Sequence, residues 1–191
     1  MPIISFPQCV HSIAKWAMAA ALSLPMFVQA NSFVDDVKLL NYKDTYGNVK
    51  IPSQITMDLP DPLIVKGHLN LEKSQIRRLP SIIKVGGNLN LAYSQVMQLP
   101  RNLTVKGYIN LAHSQVKFLN GGMRVMGDLS LMGTRIKQLP PFLYVGGNLY
   151  LNNTLITELP QYLTVQGDIY LGGIKIKKVG ENVNVGGVIY Q

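Results

Sequence analysis

Cysteine is all but missing from this chain of 191 residues: Cys9 is the only one. One thiol cannot close an intramolecular disulfide or build a Cys-ligated metal site. Acidic residues are also scarce, at 10 against 18 Lys and Arg, for a formal net charge of +8. That excess favours anionic partners such as acidic glycans, anionic lipid or nucleic acid, and says nothing about fold. Long apolar runs are limited to one, the thirteen residues from Trp16 to Val28, where a membrane span needs about 20. Lys15 precedes that run and Val28-Gln29-Ala30 is a small-x-small cleavage site, so residues 1–30 read as a secretory signal peptide. The protein is therefore expected to be exported, to the periplasm or beyond. Removing the leader takes Cys9 and Lys15 and no acid, leaving 17 basic and 10 acidic residues, a net of +7. No thiol nucleophile remains, and the core alone must hold the fold.

What the chain has in abundance is repetition. From Leu59 the frame L-P-x-x-L-x-V-x-G-x-L-x-L-x-x-[S/T]-x-I-x-x returns at Leu79, Leu99, Leu119, Leu139 and Leu159, then in shortened form from Val179. Six full repeats and a partial seventh over 59–191 predict a solenoid, mostly β. The seventh position is always Val (Val65 to Val185) and the ninth always Gly (Gly67 to Gly187). Each coil must therefore place the same β-branched side chain inward and turn at the same residue free of Cβ hindrance. "L-x-V" and "L-x-L" are period-two stretches with their apolar members pointing in, and the Leu-Pro pair sets a corner. Stacked coils would then place parallel strands about 4.8 Å apart. No segment after Leu40 has helical spacing, so the convex side is expected to be extended or made of 3-10 turns.

Segments such as "LNLEKSQIRRLP", "LYLNNTLITELP" and "LSLMGTRIKQLP" resemble the short bacterial class of leucine-rich repeat, L-x-V-x-x-N-x-L-x-x-L-P. They are more similar still to the "LPxxLxVGGxLxLxxT" variety of exported or phage-linked bacterial proteins. The resemblance covers Leu59 to Gln191 and implies a parallel sheet on a concave, partner-binding face. Ser74, Ser94, Ser114, Thr134 and Thr154 stand where that family usually has Asn. A Ser/Thr ladder can bond the turn backbone as Asn does, more weakly, or it can face solvent as a flat hydroxyl array. Some relatives carry a ubiquitin-ligase domain with a nucleophilic Cys; no such residue follows here, so that activity does not carry over.

Outward columns on the L-x-L strands differ from coil to coil. One runs Asn70, Asn90, Asn110, Ser130, Tyr150, Tyr170, Tyr190, and beside it stand His68, Asn88, Tyr108, Asp128, Asn148 and Asp168. Equal side chains on neighbouring strands support a sheet as amide ladders and ring stacks. Tyr108, Asp128, Tyr150, Asp168, Tyr170 and Tyr190 also form a candidate binding face of rigid amphipathic groups, suited to a protein or sugar partner. A second candidate is a basic ridge of Arg77, Arg78, Lys117, Arg135, Lys137, Lys175, Lys177 and Lys178, either a solvated edge or a site for anionic glycan or lipid. Only Phe118 interleaves with it, which disfavours nucleic acid. His68 and His113 lie two coils apart without a carboxylate cluster and read as surface histidines. No cofactor, metal or enzymatic activity is expected.

Residues 31–58 read as an N-terminal cap, with an imperfect "GNVKIPSQI" echo of the repeat and a short helix over Phe33 to Leu40. The last coil, "VGGVIYQ", carries no cap. Such an edge is expected to pair with a second copy, to fray, or to mark truncation of a longer ancestor. The resulting expectation is an exported, non-enzymatic leucine-rich repeat protein that binds a protein through its concave face. The alternative is an envelope or anionic-ligand binder using the ridge.

Overall fold

The computed structural model describes residues 26–191, with side-chain surroundings from residue 33 onward. Most of the 1–30 leader lies outside the described residues. Helix α1 (Met26–Leu40) runs through the expected junction after Ala30 and extends the helix expected over Phe33 to Leu40. Leu39 tucks into the core, while Phe33, Val34, Val37 and Leu40 stay exposed. Among the described residues no helix is long and apolar enough to cross a membrane.

From there the chain is a parallel β-solenoid with a 20-residue period. The L-x-L strands, from Val49–Lys50 through Leu69–Asn70 to Ile189–Tyr190, form one parallel sheet of eight strands. Its register is invariant: Leu89 pairs with Ile109, and Tyr150 with Tyr170. The "GNVKIPSQI" echo is thus a full member of the sheet, with Val49 and Ile51 each 2% exposed. A short loop closes this end, where Lys43 bridges Val49 in antiparallel fashion.

The L-x-V stretches also pair, forming a second face, which the single sheet of the sequence reading did not include. This face is split. Leu63–Val65, Ile82–Val85 and Asn102–Val105 make a three-stranded sheet, and Arg124–Val125 to Asn182–Val185 a four-stranded one. The third side of each coil, from the Ser/Thr position to the Leu-Pro corner, is extended with scattered inter-coil bonds such as Lys177 N–H to Thr157 O at 2.7 Å. No 3-10 turn occurs among the described residues.

Leu, Val and Ile of the frame fill one continuous core from Leu39 to Leu171. Burying one such side chain contributes about 1.5–3 kcal/mol, and stacking repeats the gain at every coil. The Ser/Thr positions face this core, at 0% exposure for Ser74 and 8% for Thr154, so no hydroxyl array meets solvent. Thr134 bonds the turn as expected, donating Oγ1–H to Leu131 O at 2.7 Å. The Ser74, Ser94, Ser114 and Thr154 hydroxyls find no protein partner.

Candidate functional site

The column beside the Asn/Tyr row turns out to be a hydrogen-bond ladder. Asn48 Oδ1 accepts the His68 N–H at 2.7 Å, His68 Nδ1 accepts the Asn88 N–H at 2.9 Å, and Asn88 Oδ1 accepts the Tyr108 N–H at 3.1 Å. Later Asp128 Oδ1 takes the Asn148 N–H at 2.7 Å, and Asn148 and Asp168 pass the pattern to Val188 at 2.8 Å each. Every rung needs an acceptor atom, not a given letter, so Asn, Asp and an imidazole with its proton on Nε2 all serve. Tyr108 cannot, and no such bond reaches the Asp128 N–H among the described residues. The ladder also accounts for the ninth-position glycines beside its acceptors, while at Gly127, where Tyr108 interrupts it, a Cβ would crowd the Gly107 and Tyr108 backbone at 2.9 Å. A Cβ at Gly147 or Gly167 would land on the Oδ1 of Asp128 or Asn148.

Asp44 anchors the first rung. It accepts the Asn48 Nδ2–H at 2.8 Å and the backbone N–H of Tyr46 and Asn48. The Asn48 amide, ahead of the backbone bonds, holds the Asp44 carboxyl below the usual carboxylate range.

Along the neighbouring row the two halves part company. Asn70, Asn90 and Asn110 do not form an amide ladder; each Oδ1 accepts the N–H two residues on, at 3.0, 3.1 and 3.0 Å, closing the turn that leaves the strand. Tyr150, Tyr170 and Tyr190 do stack, with ring centroids 4.9 and 5.0 Å apart and planes within 10° of parallel. Their faces cover one another, so edges and hydroxyls are what a partner meets. Asn148 Nδ2 donates to the Tyr150 hydroxyl at 3.4 Å, and the Tyr170 hydroxyl donates to Asp168 Oδ2 at 3.2 Å. Desolvation, then this bond to Asp168, pushes the Tyr170 phenol above its ordinary value.

Of the six residues expected on this face, Tyr150, Tyr170, Tyr190 and Asp168 therefore meet. Asp128 supports the ladder in the coil before Asn148. Tyr108 stands apart, 41% exposed, where the ladder is interrupted. The eight ridge residues are all exposed on the extended third side. Residues Met97, Gln98, Leu155, Thr157 and Glu158 interleave with them, giving three clusters: Arg77 and Arg78, then Lys117 with Arg135 and Lys137, then Lys175, Lys177 and Lys178. None of the eight takes part in an ion pair among the described residues, where the two present join Lys38 to Asp35 and Lys73 to Glu72.

Three further groups escaped sequence reasoning. On the L-x-V face Phe142 stacks on Tyr162 at 4.7 Å, and the Arg124 guanidinium lies 4.2 Å from the Tyr144 ring centroid. At the corner after the L-x-L strand, Tyr93 stacks on His113 at 4.8 Å and Lys73 reaches over Tyr93. Lys73, Tyr93, His113 and Asn153 all hold φ near +56° there, a costly conformation for side-chain-bearing residues. The Tyr93 and His113 N–H groups meanwhile bond the next coil at 2.8 and 2.7 Å. Contacts between residues twenty apart were the available signal.

Among the described residues no group of three or more His, Cys, Asp and Glu could hold a metal ion. What the described faces present are aromatic edges, hydroxyls and cations. No family model, curated protein or solved structure matches the chain, so its function has to be read from these faces.

Proposed function

We propose that this chain is an exported, non-enzymatic binding protein of the leucine-rich repeat kind, whose tyrosine-bearing L-x-L face binds another protein. The observation that carries the reading is the Tyr150-Tyr170-Tyr190 column, three rings stacked across neighbouring strands and tied at two hydroxyls. Such rings are already ordered before a partner arrives, so little side-chain entropy is lost on binding. Their edges offer both apolar contact and hydrogen bonds, the mix that makes Tyr frequent at interface centres.

A second reading has its own support. The ridge cations are exposed and unpaired among the described residues, which suits an envelope glycan or anionic lipid. Affinity capture with the tagged protein at about 0.15 M and about 0.5 M salt separates the two, because exposed charges are screened within about 8 Å at physiological ionic strength. Under the first reading, a captured protein is lost from the Tyr150→Ala/Tyr170→Ala variant at both salts. Capture that survives in that variant but fails at high salt, or in Arg135→Glu/Lys137→Glu/Lys177→Glu, would replace it with the second.

A further inference from the structure

The repeat is broken once, and the break makes a cleft. Where the other full coils have Leu-Pro, the coil starting at Leu119 has Leu-Asn-Gly-Gly. Asn120 turns its amide back, Nδ2 donating to Leu99 O and Pro100 O at 3.1 Å each. Gly122 holds φ +68°, a left-handed turn that glycine adopts at little cost. The L-x-V face parts here, between Asn102–Val105 and Arg124–Val125. Elsewhere the residue after the Val donates to the preceding coil's Val, as Lys106 does to Val85 O at 3.1 Å and Gly146 to Val125 O at 2.8 Å. The equivalent bond from Met126 to Val105 is absent among the described residues, so the gap holds backbone groups that the ladder does not use.

A cleft of about 410 Å³ occupies the gap. Leu103 and Met123, packed against the core, line its floor, and Arg101, Lys106 and Arg124 stand at its rim. No carboxylate lines it. Indeed the sequence from Lys73 to Gly127 has eight Lys and Arg and no Asp or Glu. Arg124 lines the cleft from the following coil, with its guanidinium beside the Tyr144 ring one coil further on. Around the corner Arg101 also borders a second concavity, beside Arg77 and Arg78. The one acid there, Asp61, is engaged with the Ser81 and Ile82 N–H groups at 2.8 and 3.2 Å.

We infer that this cleft is a binding site for a phosphate- or sulfate-bearing ligand, with Arg101, Lys106 and Arg124 on the anion and Leu103 and Met123 under its apolar part. Guanidinium forks match tetrahedral oxyanions bidentately, and the ammonium adds a point charge. The site lies on a different face from the tyrosine column and shares no residue with the basic ridge. The anion can come from a free phosphorylated or sulfated molecule or from a lipid headgroup, since both present the same group.

The test is an amide NMR titration of the full chain with inorganic pyrophosphate, and in parallel a flotation assay with phosphatidylcholine vesicles containing about 20% phosphatidic acid. Saturable shifts confined to about residues 99–106 and 120–126 are expected, or vesicle binding, the first marking a free ligand and the second a headgroup. Arg101→Gln/Lys106→Gln/Arg124→Gln should weaken binding at least tenfold. The equally neutralised ridge variant Arg135→Gln/Lys137→Gln/Lys177→Gln should change it less than about twofold. Gly121→Trp supplies a test without charge loss, because a Cβ at Gly121 meets nothing within 4 Å, and it should block the cleft. Each variant is first checked for an unchanged melting temperature. If the cleft triple unfolds, Gly121→Trp decides alone. No saturable binding of either probe, equal loss in the two triple variants, or full binding by Gly121→Trp would overturn the inference.

Discussion

The coils before the Asn120-Gly121-Gly122 corner and those after it share one inward frame, with buried Ser94 and Ser114 giving way to Thr134 and Thr154 and Val96 and Val116 to Ile136 and Ile156, and they present different surfaces. Before it, the row on the L-x-L face is Asn70, Asn90 and Asn110, each Oδ1 spent on its own turn, with the Asn90 Nδ2 also donating to Glu72 Oε2 at 3.4 Å. After it, the same row is Ser130 and then Tyr150, Tyr170 and Tyr190, whose rings stack across coils. Charge divides at the same place, with acids absent from Lys73 to Gly127 and returning at Asp128. The frame is therefore common to both halves, and the outward positions carry most of what distinguishes them. Inward and outward residues alternate along one strand, the former shared and the latter free to differ.

If the scaffold is shared, equivalent core truncations should cost the same in both halves. Leu91 and Leu151 are both 0% exposed, and Leu91→Ala and Leu151→Ala should each lose about 2–5 kcal/mol. Urea denaturation checks this, and a twofold disparity between them would mean that the equivalent Leu is not packed alike in the two halves. The next effect separates the halves. Tyr170→Ala removes two stacking contacts and should cost about 1–3 kcal/mol, whereas Asn110→Ala loses one turn bond worth about 0.5–1.5 kcal/mol. Equal losses would remove the stack as a distinguishing feature. A gain is expected where the ladder is interrupted: Tyr108→Asn supplies the missing acceptor for the Asp128 N–H and should stabilise by about 0.5–1.5 kcal/mol. Lower stability would show that the interruption is required.

Smaller still are two effects on single hydroxyls. Ser94 Oγ is buried without a protein partner, so Ser94→Ala should leave stability within about 1 kcal/mol of wild type, on the favourable side. The Tyr170 phenol stands above its ordinary value. Because its folded-state value is the higher one, its contribution is complete below about pH 10 and is lost as pH rises through the folded value. Phenolate absorbance of wild type minus Tyr170→Phe should show the late titration, and Asp168→Asn should bring it earlier.

Much of the fold was legible because the core repeats its letters: Leu63 and Leu143, Val65 and Val145, Ile136 and Ile156 stand in equal places for equal reasons. The ladder was not legible, because Asn48, His68, Asn88 and Asp128 share an acceptor atom and no identity. Its position next to the invariant Gly was the missed clue, since that Gly is small to let the acceptor pass. The corner at Lys73, Tyr93, His113 and Asn153 hid for a related reason, its common feature being a backbone angle. Burial also turned the Ser74-to-Thr154 row inward, where sequence alone had left a solvent-facing array open. As for the candidate site, the tyrosine column could be read from twenty-residue spacing once the register was known. The Arg124–Tyr144 and Phe142–Tyr162 pairs obey the same spacing on the L-x-V face, which had been read only for its inward residues. The cleft was visible in sequence only as a departure from Leu-Pro.

The most direct measurement of the central claim is site-specific photocrosslinking in the producing cell, with a benzophenone amino acid at position 170 in one strain and at 137 in another. A discrete protein adduct from position 170, and none from 137, is the expected result. An adduct from 137 with none from 170 would contradict the assignment of partner binding to the tyrosine face.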